Sequence, residues 1–180
     1  EYIYISSSLF FIGYIDDIKI KISPNTRLIL MIFFLIFFIN FLSIQIYNLD
    51  LIFLKSWLEN KIFLSLFILL CFLFIVNGAN LIDGFNGLLT INLIIINSVL
   101  LFINLGNNHL EFSMFLSAQI IILISFLLFN FPKAKMFLGD SGSYLFGSLV
   151  ALNTIITNNL NPYISSFFFC ILLSYLFIEV

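Results

Sequence analysis

The chain has very little charge. Asp, Glu, Lys and Arg make up 9% of its 180 residues, against 62% hydrophobic residues and a mean hydropathy of +1.19. In soluble globular domains about a quarter of the residues are charged. This composition therefore excludes a soluble globular domain and indicates an integral membrane protein. The net charge is −2 and basic runs are lacking, so nothing points to nucleic acid or a polybasic lipid anchor.

Cysteine and histidine are also scarce, which argues against the common soft metal sites. Cys71 and Cys170 both lie within apolar runs, at a spacing that matches no zinc or redox motif. The single histidine, His109, falls in a polar turn. We interpret all three as ordinary membrane, core or surface side chains.

Alternation of polar and apolar residues, the pattern of a membrane β-barrel, is lacking as well, which leaves helices as the spanning elements. A bilayer core about 30 Å thick takes roughly 20 apolar residues as helix. On that measure the sequence predicts an all-α, polytopic transmembrane helix bundle with about seven spans. The predicted spans are residues 2–15, 28–47, 62–76, 88–105, 112–131, 143–157 and 163–180.

The loops between these spans alternate between two faces. Residues 16–27, 77–87 and 132–142 fall on one face and carry four aspartates. A charge at the bilayer centre costs about 2.5–3.5 kcal/mol on insertion scales, so acidic clusters that share one face indicate a functional site. Five of the seven Lys and Arg residues lie on this face, which the positive-inside rule therefore predicts to be cytoplasmic. These five are Lys19, Lys21, Arg27, Lys133 and Lys135.

The first polar loop carries two adjacent carboxylates, Asp16 and Asp17. Hard divalent cations prefer oxygen ligands, so the pair could share a magnesium ion, orient a phosphate through it, or provide a general base. Ser23 and Pro24 mark the start of the next helix, because proline is tolerated in a first turn. Arg27 then lies where it can meet a phosphate. The alternative is a solvated loop balanced by its own lysines.

The second loop is rich in side-chain amides. If the third helix continues through it, Asn77, Asn80 and Asp83 recur every three residues and form one polar edge. Asn86 and Gly87 form a turn dipeptide, which lets the segment fold back and present side-chain amides with main-chain N–H groups. An ordinary connecting turn is the alternative interpretation.

The third loop carries a single carboxylate, Asp140, between two glycines. Ser141 and Ser143 are predicted to cap the helix that follows. Asp140 would then be a metal ligand beside a helix N-terminus, where backbone N–H groups and the helix dipole favour bound phosphate oxygens. A capped helix start without chemistry is the alternative.

With these motifs, the chain resembles the polyprenyl-phosphate N-acetylhexosamine-1-phosphate transferases. The resemblance rests on the Asp-Asp pair with its Ser-Pro-x-x-Arg continuation, on NGANLIDGFNGL at residues 77–88, and on FLGDSGS at residues 137–143. It implies transfer of a sugar 1-phosphate, by default GlcNAc-1-phosphate, from a UDP-N-acetylhexosamine to polyprenyl (undecaprenyl) phosphate. The products would be a polyprenyl-diphospho-sugar and UMP, with Mg²⁺ as cofactor or Mn²⁺ in its place.

The resemblance also implies residue roles. Asn80 and Asp140 would be the metal ligands, and Asp16 and Asp17 the catalytic pair, which engages the lipid phosphate or the metal, one of them acting as base. The substrate-binding candidates are Arg27, Asn77, Asp83 and Asn86. The sequence departs from many bacterial members at Asn86, where they carry an aspartate.

We therefore expect residues 1–180 to form one transmembrane catalytic domain, as a fragment that lacks N-terminal spans and a C-terminal cytoplasmic loop. The protein would be a multi-pass protein of the inner (plasma) membrane with a cytoplasmic active face, serving cell-envelope polysaccharide synthesis such as cell wall or lipopolysaccharide O-antigen. Its partners would be the UDP-sugar, the polyprenyl phosphate and the bilayer. The sugar, the polyprenol length, the pathway and a homodimer stay open.

Other functions fit the same composition. An ion-coupled transporter also uses membrane carboxylates, but its polar residues tend to lie near the bilayer midplane, whereas these lie at segment ends. An aspartate-rich polyprenyl transferase or a phosphotransferase acting on CDP-alcohols would need aspartates at regular short spacing along one helix, which Asp83 lacks. A structural membrane subunit is the non-enzyme alternative.

Overall fold

The structure is a computed structural model that describes residues 1–18, 22–47, 49 and 57–178. The described residues form helices and connecting turns without a β-strand, so the all-α prediction is confirmed. Lys19, Lys21 and Lys55 lie outside the described residues. The helices are α1 (Tyr2–Asp17), α2 (Pro24–Phe41), α3 (Lys61–Ile82), α4 (Leu88–Gly106), α5 (Leu110–Asn130), α6 (Gly139–Leu160), α7 (Ser166–Leu172) and α8 (Ser174–Ile178).

Within the described ranges, four helices, α2 to α5, are long and apolar enough to cross a membrane. The predicted count of seven spans stays a prediction. Helix α1 has 16 residues, short for a straight span. Helix α6 has 22 residues but carries many polar side chains, and the segment predicted at 163–180 is divided into the two short helices α7 and α8.

Helix α6 is the centre of the bundle. It packs against α1, α3 and α4, and 12 of its 22 residues are buried. Because neighbouring helices surround it, α6 needs no apolar outer face towards lipid, which explains its polar composition. Gly147 allows a close approach: a Cβ there would lie 3.1 Å from the Ala79 Cβ and from the Val76 Cα of α3.

A buried amide network ties α6 to three other helices. Nδ2 of Asn153 donates to Oδ1 of Asn97 in α4 (2.8 Å) and to Oε1 of Gln119 in α5 (2.9 Å). The Tyr2 hydroxyl of α1 donates to Oδ1 of Asn153 (2.6 Å). In apolar surroundings such hydrogen bonds between helices fix their relative register. Sequence reasoning did not predict this network.

Helix α2 ends earlier than predicted, at Phe41 instead of residue 47. Ser43 adopts a left-handed conformation with φ 52°. The Ser43 N–H donates to the Asn40 carbonyl (3.3 Å), and the Ile44 N–H donates to the Ile39 carbonyl (3.1 Å). This is a Schellman motif, which usually has glycine at the left-handed position. Because serine is unusual at this position, Ser43 did not indicate in the sequence that α2 ends here.

The polar loops meet at one end of the bundle. Hydrogen bonds join the end of α1 to the start of α6, the start of α2 to the end of α1, and the end of α3 to the start of α6. Helix α3 runs on to Ile82, six residues past the predicted boundary, which carries Asn77 and Asn80 on the helix as predicted. The prediction that the three acidic loops share one face is confirmed.

Candidate active site

Asp140 lies at the centre of a polar cluster formed by four helices. It is in the first turn of α6, directly after Gly139, whose φ of 69° lies in the left-handed region. Oδ1 of Asp140 accepts a hydrogen bond from Nδ2 of Asn80 (2.7 Å), which also donates to the Ser143 hydroxyl (3.0 Å). Oδ2 of Asp140 forms an ion pair with Arg27. Both carboxylate oxygens thus contact polar groups from other helices.

Arg27 bridges two carboxylates. Its Nη1 donates to Oδ2 of Asp16 (2.8 Å) and to Oδ2 of Asp140. The start of α2 sets its position: Ser23 caps the helix by accepting from the Thr26 N–H (3.2 Å), and Pro24 occupies the first turn, as the sequence predicted. The Arg27 side chain is 22% exposed, so the guanidinium remains accessible to a ligand.

Asp17 has a different partner from its neighbour. Its carboxylate accepts hydrogen bonds from the backbone N–H groups of Asp140 (3.0 Å) and Ser141 (3.0 Å) and from the Ser141 hydroxyl (2.5 Å). An anion is favourable at a helix N-terminus because the first N–H groups have no partner within the helix and the dipole is positive there. Asp17 of α1 therefore caps α6.

The predicted capping of α6 by its own serines is wrong. The N-cap residue of α6 is Leu138, whose side chain makes no capping hydrogen bond. Ser141 instead donates to Asp17, and the Ser143 hydroxyl donates to the Asp140 carbonyl (3.2 Å). The helix begins at Gly139, so both serines lie inside it and neither occupies the capping position, while the Asp17 carboxylate accepts from the first N–H groups.

Two glycines allow α1 and α6 to meet. A Cβ at Gly13 would lie 2.5 Å from the Ser141 backbone nitrogen and closer still to the Asp140 carbonyl group. A Cβ at Gly139 would lie 2.8 Å from Oδ2 of Asp17. Sequence reasoning missed Gly13; the available signal was a lone glycine three residues before the Asp-Asp pair in an apolar helix.

Asp83 lies beside the cluster, at the C-cap of α3. Burial raises the pKa of this half-buried carboxyl to about 6. A backbone hydrogen bond from Gly139 lowers the pKa, whereas the charges of Asp140 and Asp17 raise it further. Asp83 is therefore close enough to both carboxylates for their charges to raise its pKa.

The remaining two candidates have partners elsewhere. Nδ2 of Asn77 donates to the Leu73 carbonyl of its own helix (2.7 Å), and Nδ2 of Asn86 donates to the Pro132 carbonyl (3.3 Å). Among the described residues, neither is hydrogen-bonded to the cluster. The structure thus joins five predicted site residues directly and places Asp83 next to them. The five are Asp16, Asp17, Arg27, Asn80 and Asp140.

The donor set suits a hard divalent cation. In the described part of the chain, no group of three or more His, Cys, Asp or Glu side chains is arranged to hold a metal. However, Oδ2 of Asp16 and Oδ2 of Asp140 converge on one cationic nitrogen of Arg27, with the Asn80 amide beside them. Magnesium is commonly bound by one or two carboxylates, with water and substrate phosphates completing its shell. These residues therefore fit Mg²⁺ held jointly with a phosphate substrate.

Comparison with known proteins identifies a family for the chain. A family model described as "Glycosyl transferase family 4" matches residues 2–158. The chain belongs to glycosyl transferase family 4. The resemblance inferred from the three motifs is confirmed, and all residues of the polar cluster lie within the family match. With its apolar helices, this family member is an integral membrane protein.

Curated relatives carry two kinds of name. The phospho-N-acetylmuramoyl-pentapeptide-transferase of Clostridium perfringens (strain 13 / Type A) is 31% identical over 155 residues, 81% of this chain and 49% of the relative. That of Leuconostoc mesenteroides is 42% identical over 80 residues, 44% of this chain and 25% of the relative. The undecaprenyl-phosphate alpha-N-acetylglucosaminyl 1-phosphate transferase of Thermotoga maritima is 33% identical over 90 residues, 50% and 26% of the respective lengths. The chain thus spans about half, or less, of the length of these relatives.

Proposed function

We propose that the protein transfers a sugar 1-phosphate from a UDP-N-acetylhexosamine to a polyprenyl phosphate such as undecaprenyl phosphate. The products are a polyprenyl-diphospho-sugar and UMP. The observation that carries the proposal is the convergence of Asp16, Arg27, Asn80 and Asp140 at one end of a membrane helix bundle. Family membership and the names of the relatives support the same reaction class.

The reaction brings two anionic phosphates together, so its main requirement is positioning and charge neutralisation. Asn80 and Asp140 would hold Mg²⁺, or Mn²⁺ in its place, and the bound ion would neutralise phosphate charge and orient the reacting groups. Arg27 would bind a phosphate oxygen, since its guanidinium can bond a phosphate with two parallel N–H groups. Asp83, Asn77 and Asn86 would face the nucleotide or the sugar.

The structure favours different roles for the two adjacent aspartates. Both oxygens of Asp17 accept hydrogen bonds from the start of α6, so this carboxylate is occupied with positioning Asp140. Asp16 bonds Arg27 and is 29% exposed, so it remains accessible to substrate. We therefore assign Asp16 as the carboxylate that contacts the lipid phosphate or the metal and acts as the base.

We place the site at the cytoplasmic face of the inner membrane, because a soluble UDP-sugar is supplied there while the polyprenyl chain arrives from the bilayer. Arg27, Lys133 and Lys135 belong to the loops of this face, in agreement with the positive-inside rule. GlcNAc-1-phosphate is the default donor group, and cell-envelope polysaccharide synthesis, including cell wall or O-antigen, is the pathway class. A homodimer remains the alternative to a monomer.

The test uses the full-length protein reconstituted in nanodiscs with undecaprenyl phosphate. We expect UMP release from a UDP-N-acetylhexosamine that needs both the lipid phosphate and Mg²⁺, and that EDTA removes. A panel of UDP-sugars identifies the donor. Uptake of a solute into vesicles without formation of UMP would instead support the ion-coupled transporter.

Replacing Arg27 with Gln is expected to raise the affinity for Mn²⁺ by about three- to tenfold, because a cation next to the metal-binding carboxylates is removed. UMP release should fall in the same variant, since the phosphate loses a partner. Mn²⁺ affinity is measured by paramagnetic resonance. Arg27→Lys is the matched control: it keeps the charge, so Mn²⁺ affinity should stay within about twofold of the parent. Weaker Mn²⁺ binding in Arg27→Gln would contradict the expected competition.

A further inference from the structure

Asn130, the last residue of α5, connects two loops next to the candidate active site. Its side chain is buried, with 3% of the residue exposed. Oδ1 of Asn130 accepts a hydrogen bond from the Gly87 N–H (2.6 Å), and its Nδ2 donates to the Met136 carbonyl (2.7 Å). One amide therefore uses both ends to join the turn at residues 83–87 to the loop at residues 131–138.

The contact with Gly87 satisfies a group that the helix leaves without a partner. Gly87 is the N-cap of α4, where backbone N–H groups have no acceptor within the helix. Its φ of 75° lies in the left-handed region, and a Cβ there would lie 3.0 Å from the Phe131 side chain. The turn is thus packed directly on the residue that follows Asn130, and a larger residue than glycine would separate them.

The two loops carry the residues that the proposed reaction needs. The turn begins with Asp83 and contains Asn86, and the loop leads through Gly139 into Asp140. The Asn86 amide also reaches the Pro132 carbonyl, but this hydrogen bond is longer (3.3 Å) and exposed. A backbone hydrogen bond from Gly139 to Asp83 also joins the turn to the start of α6. Asn130 is a second link, and because its bond to Gly87 is buried, we expect it to resist opening more than the exposed Asn86 contact does.

We propose that Asn130 is a positioning residue of the transfer reaction. Its amide fixes the Asp83 turn relative to the segment that presents Asp140, and it acts through these loops without touching substrate. The inference rests on the proposed function. An aspartate at this position keeps the acceptor for the Gly87 N–H and loses the donor for the Met136 carbonyl, whereas alanine loses both.

The experiment compares Asn130→Ala and Asn130→Asp with Ser125→Ala in the full-length protein in nanodiscs. Ser125 lies on the same helix, is exposed, and its hydroxyl donates to the Ile121 carbonyl of α5 (2.8 Å) and to no other helix in the described part of the chain, which makes it the matched control. We expect Asn130→Ala to lower kcat by about 10- to 100-fold, the usual effect of removing a supporting hydrogen bond, with an unchanged KM for polyprenyl phosphate. Asn130→Asp should fall between Asn130→Ala and the parent.

Amide hydrogen exchange provides a readout that does not depend on activity. In Asn130→Ala, exchange at Gly87 should become at least about tenfold faster, because its N–H loses a buried acceptor. In Asn130→Asp it should stay slow, and Ser125→Ala should match the parent. Unchanged exchange at Gly87, or a kcat within about twofold of the parent in Asn130→Ala, would overturn the proposal.

The two readouts separate the two proposals. If the parent protein releases no UMP, the proposed function fails, and exchange at Gly87 still decides whether Asn130 holds the loops together. If Asn130→Ala does not fold, Asn130→Asp decides. If Asn130→Asp has a reduced kcat and slow exchange at Gly87, Asn130 positions the loops through its bond to the Met136 carbonyl. If Asn130→Asp has the kcat of the parent, the positioning role is refuted.

Discussion

Replacing Asp140 with Asn is expected to lower Mg²⁺-dependent UMP release by about 10²- to 10³-fold, the effect of removing one electrostatic contact to the reacting groups. The change removes the charge that faces Arg27 and keeps the size of the side chain. The new amide oxygen can still accept from Nδ2 of Asn80, so the contact between α3 and α6 is retained. The loss should therefore reflect the missing charge. UMP formation by the full-length protein in nanodiscs measures it.

The matched control is Glu111→Gln. Glu111 lies in the first turn of α5, at the opposite end of the bundle from the cluster, and undergoes the same change of carboxylate to amide. Its UMP release should stay within about twofold of the parent, because surface substitutions away from a site have small effects. Near-parental activity in Asp140→Asn, or an equal loss in Glu111→Gln, would refute the metal-binding role of Asp140.

The sequence predicted which residues meet because topology alone brings them together. An even number of spans separates the three acidic loops, so they must lie at the same end of a helical bundle, whatever the packing inside it. Asp16, Arg27, Asn80 and Asp140 are indeed in hydrogen-bonded contact. The motifs supplied the residue types, and the alternation of spans supplied their proximity.

The helix ends and the inner polar contacts could not be predicted in the same way. Leu, Ile and Phe fill the spans so evenly that hydropathy gives no sign of the Schellman motif at Ser43 or of the division at Leu173. Asn97, Gln119 and Asn153 lie in segments that are mostly apolar, and nothing in the sequence relates them to one another. Their partners lie on different helices, so only the packing reveals them.

The two adjacent aspartates were also indistinguishable in the sequence. Successive residues on a helix point about 100° apart, so Asp16 and Asp17 can turn towards different partners. The structure turns Asp16 towards Arg27 and Asp17 towards the first N–H groups of α6. This division depends on the contact between α1 and α6, which Gly13 makes close enough.

Replacing Gly13 with Ala is expected to lower UMP release by about 100-fold, because a displacement of about 1 Å at a reacting group has that effect. The new Cβ would lie 2.5 Å from the Ser141 nitrogen, whereas ordinary contacts begin near 3.4 Å. The opposing atoms are backbone, so no side chain can move aside and α6 must shift. Asp140 would then move away from Arg27 and Asn80. UMP formation in nanodiscs measures the loss.

Gly106→Ala is the matched control for this substitution. A Cβ at Gly106 meets nothing within 4 Å, so its UMP release should stay near that of the parent. Alanine favours a helix over glycine by about 1 kcal/mol, so a loss in Gly13→Ala cannot come from a weaker α1. It must come from the separation of α1 and α6. Parental activity in Gly13→Ala would show that catalysis tolerates this separation, and would contradict the assignment of Asp17 as the cap that positions Asp140.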